Sequence, residues 1–361
     1  MDRLPDRVLM KGNEAIAEAA IRAGCRHYFG YPITPQTEIA HYMAKRMKSV
    51  GGVFLQAESE VAAINMVYGA AGAGARVMTT SSSPGISLKQ EGFSYIAGAE
   101  LPCVVVNVAR CGPGLGGILP AQGDYFQATK GGGHGDYRNA VLAPASVQEL
   151  YQLTVEAFDL ADRYRVLVLI LADGTLGQMM EPVSHLEPKD ATAAGKPWAT
   201  VGTGGKRFHN TITSIYIDPE RLEAHNLHLQ AKYAEIARNE VRCESVGVEG
   251  AEVVVTAFGT TARIVRNVIR QAAEEGIKVG LIRPITLWPF PSEAVAAAAA
   301  HPSVKALLSV ELNAGQMVED VRLAVNGAKP VQFHGRMGGM LPTQREILER
   351  IRAIARPEGG T

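Results

Sequence analysis

The chain is poor in cysteine: Cys25, Cys103, Cys111 and Cys243 are its only four, and no Cys-x-x-Cys pair occurs. That spacing cannot by itself hold an iron–sulfur cluster, build a zinc knuckle or form a disulfide framework. It also lacks a surplus of charge, since 36 Lys and Arg balance 36 Asp and Glu. Nothing therefore favours a nucleic-acid or anionic-membrane binder. Long apolar runs are missing too. The longest charge-free one, Val61 to Ala75, falls short of the ~18 residues of a membrane span. Met1 to Asn13 carries charges and no apolar h-region, so no signal peptide is read and a cytoplasmic protein is expected. Apolar residues make up 47% and charged ones 20%, which excludes a disordered chain and suggests that partners cover some surface. At about 150 residues per domain, 361 residues imply two or three domains.

Helical and strand patterns alternate through the first half. Helices are expected at Asn13–Gly24, Gln36–Lys48, Glu58–Gly74, Gly85–Ala97 and Ser146–Tyr164. Strands are expected at His27–Gly30, Val53–Gln56, Arg76–Thr80, Cys103–Ala109 and Val166–Ala172. Gly112 to Arg138 reads as a long glycine-rich loop, a length that is usually functional. Continuous apolar strands between helices indicate a parallel sheet covered on both faces. From Glu187 to Gly250 the composition shifts: Lys189–Arg207 reads as an exposed excursion and Pro219–Glu244 as a charged amphipathic helix. The α/β alternation then resumes to the C-terminus. The expected division is 1–186, a connector 187–249, and 250–361.

Generic nucleotide signals fail. Gly112-Pro-Gly-Leu-Gly-Gly follows a strand but opens a loop, and Thr203-Gly-Gly-Lys206 lacks the first glycine of a P-loop. Ala172-Asp173-Gly174 is similar to the Gly-Asp-Gly that opens a thiamine-diphosphate pyrophosphate site. Such a site also needs a downstream Asn for its Mg²⁺, and none occurs before Asn210. No metal site is expected in this chain.

Other segments fall at strand ends, on the edge where open α/β sheets bind ligands. Gly30-Tyr31-Pro32-Ile33-Thr34-Pro35 is a stiff turn presenting the Thr34 hydroxyl, readable also as a plain strand–helix connection. Glu60 starts a helix, where carboxylates ordinarily serve the macrodipole. It is followed by Val, Ala and Ile, a dry setting that suits proton transfer. Arg110 ends an apolar strand, and its planar fork suits a carboxylate, unless it merely caps the sheet rim. Ser81-Ser82-Ser83-Pro84-Gly85 leads into a helix N-terminus and suits an anion or a close cofactor approach.

In order and spacing, these motifs and Gly131-Gly-Gly-His-Gly-Asp-Tyr-Arg138 resemble one family. It is the thiamine-diphosphate-dependent 2-oxoacid:ferredoxin oxidoreductases, in the subunit carrying the pyrimidine-binding domain. The second half resembles that subunit's transketolase C-terminal-like domain through Phe258-Gly259, Gly280–Pro291 and Val310-Glu-Leu-Asn-Ala-Gly-Gln316. The 3-methyl-2-oxobutanoate type is most similar, followed by the 2-oxoglutarate type, with pyruvate as a further alternative. Cys111 departs from the glycine that commonly follows the arginine, which bears on the shape of the substrate loop.

The resemblance implies that Glu60 pairs with N1′ of the cofactor's aminopyrimidine. Thr34 and Ile33 lie near the substrate, Arg110 pairs with its carboxylate, and Tyr31, Pro32, Ser82 and Ser83 approach the cofactor. It further implies CoA as acyl acceptor and electrons leaving to ferredoxin. The chain has neither cluster cysteines nor a pyrophosphate–Mg²⁺ motif. A thiamine-diphosphate-binding subunit holding the Mg²⁺ is therefore expected as partner, with γ and ferredoxin-like δ subunits carrying the iron–sulfur clusters. Rival readings are a transketolase-like or lipoamide-linked subunit and a non-catalytic scaffold.

Overall fold

The computed structural model describes residues 7–189 and 195–356. Part of the Met1–Asn13 segment (1–6) and part of the excursion (190–194) lie outside the described residues. Strands of the first half are β1 (Val8–Lys11), β2 (His27–Gly30), β3 (Val53–Gln56), β4 (Val77–Ser81), β5 (Cys103–Ala109), β6 (Ala140–Leu142), β7 (Leu167–Asp173) and β8 (Met180–Val183). Those of the second are β9 (Cys243–Val246), β10 (Val253–Thr256), β11 (Val279–Pro284), β12 (Thr286–Trp288), β13 (Ala306–Glu311) and β14 (Val331–Gly335).

A seven-stranded sheet has the order β12-β6-β7-β5-β4-β2-β3, and a five-stranded sheet the order β14-β13-β10-β11-β9. Both are parallel except at the edges β12 and β9. This is the expected α/β class. β5 and β7 are buried along their whole length, as unbroken apolar strands between helical layers must be. One apolar core runs from the first sheet into the second half, taking in Phe258, Ile282 and Leu307. A second core lies under the helices Gly259–Glu274 and Gln344–Ala355. β12, late in sequence, completes the first sheet by pairing with β6. Buried Arg283 ties the halves together through Glu149 and Glu244, at 2.7 and 2.8 Å.

Local chemistry sets the helix starts. The Ser59 hydroxyl accepts from the Ala62 N–H and the Ser146 hydroxyl from the Glu149 N–H, each at 3.1 Å. Thr343 and Glu346 form a reciprocal capping box on the last helix. Thr343→Ala is expected to cost about 1 kcal/mol, measured as a lowered denaturant midpoint, without changing activity.

The structure corrects the sequence reading in several places. The helix expected to reach Glu244 stops at Asn239, because Cys243–Val246 pairs with β11 instead. The glycine-rich segment contains a short helix, Tyr125–Lys130. β1, β6, β8, β12 and β14 were not expected. No helix among the described residues is long and apolar enough to cross a membrane.

Candidate active site

Because β2, β3, β4, β5 and β7 run parallel, the segments that follow them emerge at one edge. That edge gathers the Tyr31–Pro35 turn, the Glu60 helix start, Ser82, Ser83, Arg110 and Asp173. The structure joins several of them directly. Arg110, buried at 8% exposure, donates from Nη1 to the Thr34 carbonyl (3.0 Å) and from Nη2 to the Leu115 carbonyl (3.2 Å). Its Nε has no partner. Thr34 itself is exposed, as are Tyr31 and Pro32, while Ile33 is half-buried. Gln36 holds this turn from below, donating to the Tyr31 carbonyl (3.4 Å) and accepting from the Thr80 hydroxyl (2.5 Å).

Glu60 is 6% exposed and lies at the first helical position after the Ser59 cap. Its carboxylate sits against Gly85, where an added Cβ would fall 2.5 Å from Oε1 and 2.1 Å from the Ser81 hydroxyl. Only a residue without a side chain leaves this space. The hydroxyls of Ser81 and Ser82 are buried and unpartnered. A buried acid beside the unpartnered Ser81 hydroxyl is a cradle with hydrogen bonds to spare.

Ser83, expected to approach a cofactor, has protein partners for its hydroxyl. Its Oγ accepts from the Arg110 N–H (3.0 Å) and donates to Asp124 (2.6 Å). Asn107 also donates to Asp124, at 2.7 Å. Burial raises the Asp124 carboxyl above its ordinary range, and the Ser83 and Asn107 bonds oppose this. Ser83 is thus a structural link between Arg110 and Asp124.

The second half holds Asp124 in place. Gln122 donates to the Phe258 carbonyl (2.8 Å) and accepts from the Leu312 N–H (3.0 Å). Gln316 donates to the Gly123 carbonyl (2.7 Å), and the Tyr125 hydroxyl donates to Asp320 (2.6 Å). The motifs at Phe258-Gly259 and Val310–Gln316 thus buttress the segment that positions Ser83 and Arg110. Glu311 supports them by accepting from the backbone N–H groups of Gln316, Met317 and Val318.

The Asp173 Oδ1 caps the helix Gly174–Gln178, accepting from Thr175 (2.9 Å) and Leu176 (3.1 Å). Among the described residues no group of three or more His, Cys, Asp or Glu could hold a metal ion. Cys111 closes the segment that follows Arg110: its N–H donates to the Leu119 carbonyl, and its own carbonyl accepts from Gly117. His134 is exposed, away from this constellation.

Sequence reasoning missed Asp124 and Lys89, and read Ser81 and Gly85 only as parts of the serine-rich turn. Lys89 was visible in principle, since Ile86, Lys89, Phe93 and Ile96 recur at helical spacing and all are buried. A lysine inside an apolar stripe is the signal.

Comparison with known proteins assigns the arrangement. Residues 18–242 match the family described as pyruvate flavodoxin/ferredoxin oxidoreductase, thiamine diP-bdg. Residues 251–347 match pyruvate:ferredoxin oxidoreductase core domain II. The chain is 53% identical over 347 residues to ketoisovalerate oxidoreductase subunit VorB of Methanothermobacter thermautotrophicus, covering 96% of this chain and 97% of that one. It is 42% identical over 351 residues to 2-oxoglutarate synthase subunit KorA of Archaeoglobus fulgidus, covering 94% and 98%. The solved 2-oxoglutarate:ferredoxin oxidoreductase of Magnetococcus marinus superposes with TM-score 0.85 at 30% identity, over 97% of this chain and 66% of that one. An inactive β4 tetramer of a split-gene transketolase, at 12% identity and TM-score 0.57, shares the fold alone. Matched nearly end to end by such subunits, the chain belongs to the 2-oxoacid:ferredoxin oxidoreductase family.

Proposed function

We propose that this chain is the thiamine-diphosphate pyrimidine-side subunit of an enzyme that converts a 2-oxoacid and CoA to acyl-CoA and CO₂, passing two electrons to ferredoxin. The substrate is 3-methyl-2-oxobutanoate. The carrying observation is the Glu60 carboxylate seated over Gly85 beside the unpartnered Ser81 hydroxyl, on the same edge as Arg110. Those residues fit an aminopyrimidine, which offers both donors and an acceptor. Bound there, thiamine diphosphate supplies the nucleophilic carbon that adds to the 2-oxo group. Glu60 holds and moves the proton at N1′, Thr34 faces the substrate, and Arg110 takes its carboxylate.

The chain supplies half of a site. A partner subunit binds the pyrophosphate and Mg²⁺, because no Asn follows Asp173 before Asn210 to complete such a motif here. Iron–sulfur clusters reside on γ and ferredoxin-like δ partners, and the complex works in the cytoplasm. The functional division is a cofactor-facing unit 1–186, a connector 187–249 and a buttressing unit 250–361.

Two observations favour the branched acid. Identity is greater to the ketoisovalerate relative than to the 2-oxoglutarate one, at 53% against 42%. The segment after Arg110 exposes Leu115, Ile118 and Leu119, and from Gly112 to Leu119 it carries no charged side chain. Such a wall suits an apolar acyl chain and offers a second carboxylate no cation. In the purified native complex, CoA-dependent viologen reduction is expected to be fastest with 3-methyl-2-oxobutanoate. Faster reduction with 2-oxoglutarate or pyruvate would overturn the substrate, and no CoA-dependent reduction with any 2-oxoacid would overturn the reaction.

A further inference from the structure

Lys89 stands in the second turn of the helix Ser83–Gly98 and is fully buried. Burying a lysine ammonium is costly unless a carboxylate meets it, and a methionine of similar shape fits such a stripe without that cost. The other cations buried among the described residues are well engaged. Arg283 meets two carboxylates and Arg110 two carbonyls. The recorded bond from Lys89 Nζ is a long one, 3.4 Å, to the main-chain carbonyl of Glu60.

The placement relates to Glu60 in a second way. Gly85 and Lys89 are four residues apart, so they share one helix face. On that face the first leaves the space that Glu60 Oε1 occupies, and the second sets a cation at the base of the same residue. Glu60 is also the charged group whose field acts on Lys89. On its own helix Glu91 is exposed, and the Gly131–Arg138 segment, which reaches Gln90, carries exposed His134 and Asp136, buried Tyr137 and half-buried Arg138.

We propose that Lys89 is a positioning residue for Glu60: its buried ammonium, bonded to the Glu60 carbonyl, fixes the start of that helix so that the carboxylate keeps its seat against Gly85, aligned to exchange a proton with N1′. This rests on the role of Glu60 given above. A feature kept for function rather than for stability leaves a measurable trace. Burial pushes Lys89 down to about 8 from its ordinary 10.5, against the pull of Glu60. The folded chain therefore binds that proton less tightly than the unfolded chain does. The buried cation costs stability below about pH 8, and the cost fades as pH rises from about 8 to 10.5.

The test compares wild type, Lys89→Met and Glu60→Gln in the assembled complex, reading kcat, KM for the 2-oxoacid and the melting temperature. For Lys89→Met kcat is expected to fall roughly tenfold, about 1.4 kcal/mol, at an unaltered KM, with melting temperature unchanged or raised. Lys89→Arg, which keeps the charge, should restore part of kcat. A Lys89→Met kcat equal to wild type overturns the proposal, as does a lowered melting temperature with kcat unchanged. Failure of both Lys89→Met and Lys89→Gln to assemble overturns it too, since removal of the cation should not destabilise. If Glu60→Gln keeps its activity, the reading of Glu60 is at fault instead.

Discussion

Glu60→Gln is expected to lower turnover of the assembled enzyme by about 10²–10⁴ while leaving assembly intact. The substitution is isosteric, so the space against Gly85 remains filled. The helix start survives, because the Ser59 hydroxyl and not Glu60 accepts the orphan Ala62 N–H. Losing a negative charge at the N-terminus costs about 0.3–1 kcal/mol at most surface sites. That is too little to imitate a catalytic defect. An amide cannot exchange a proton with a ring nitrogen, so the lost step has no substitute within the chain. A variant retaining more than a tenth of wild-type turnover, measured by CoA-dependent viologen reduction, would return Glu60 to the role of a helix-dipole carboxylate.

Legibility followed locality. β2, β3 and β5 coincide with the strands read from sequence, because each is a short apolar run bounded by glycine or a charged residue. The turn residues and Arg110 could be placed on one edge because parallel strands all end there. What stayed hidden depends on distant partners. The helix Tyr125–Lys130 lies among glycines and is too short to announce itself. Its residues are fixed by Gln316 and Asp320, about 190 residues away. The bond of the Ser83 hydroxyl to Asp124 was hidden because its partner is 41 positions later. β12 could not be assigned to the first sheet from its own sequence, since an edge strand of three residues carries almost no pattern. Lys89 was passed over for a different reason: its neighbours mark it as buried, but its residue type says surface.

Arg110→Lys is expected to raise KM for the 2-oxoacid roughly ten- to a hundred-fold although the charge is kept, the loss of a charged hydrogen bond being about 1.5–3 kcal/mol. Two of the five N–H donors of the guanidinium are committed, one to the Thr34 carbonyl and one to the Leu115 carbonyl. The arginine thus clamps the Tyr31–Pro35 turn to the Gly112–Leu119 segment and still has donors left, including the unpartnered Nε, for a carboxylate. A lysine ammonium is a single point that cannot span both carbonyls and present a fork. The clamp and the substrate contact should fail together, so kcat is expected to fall as well, because Thr34 and the apolar side chains of the segment lose their fixed separation. A rim arginine without a substrate role predicts nearly unchanged kinetics. A contact with CoA phosphate predicts a raised KM for CoA at an unaltered KM for the 2-oxoacid. That last result would remove Arg110 from the substrate carboxylate and make the Gly112–Leu119 segment part of the CoA path.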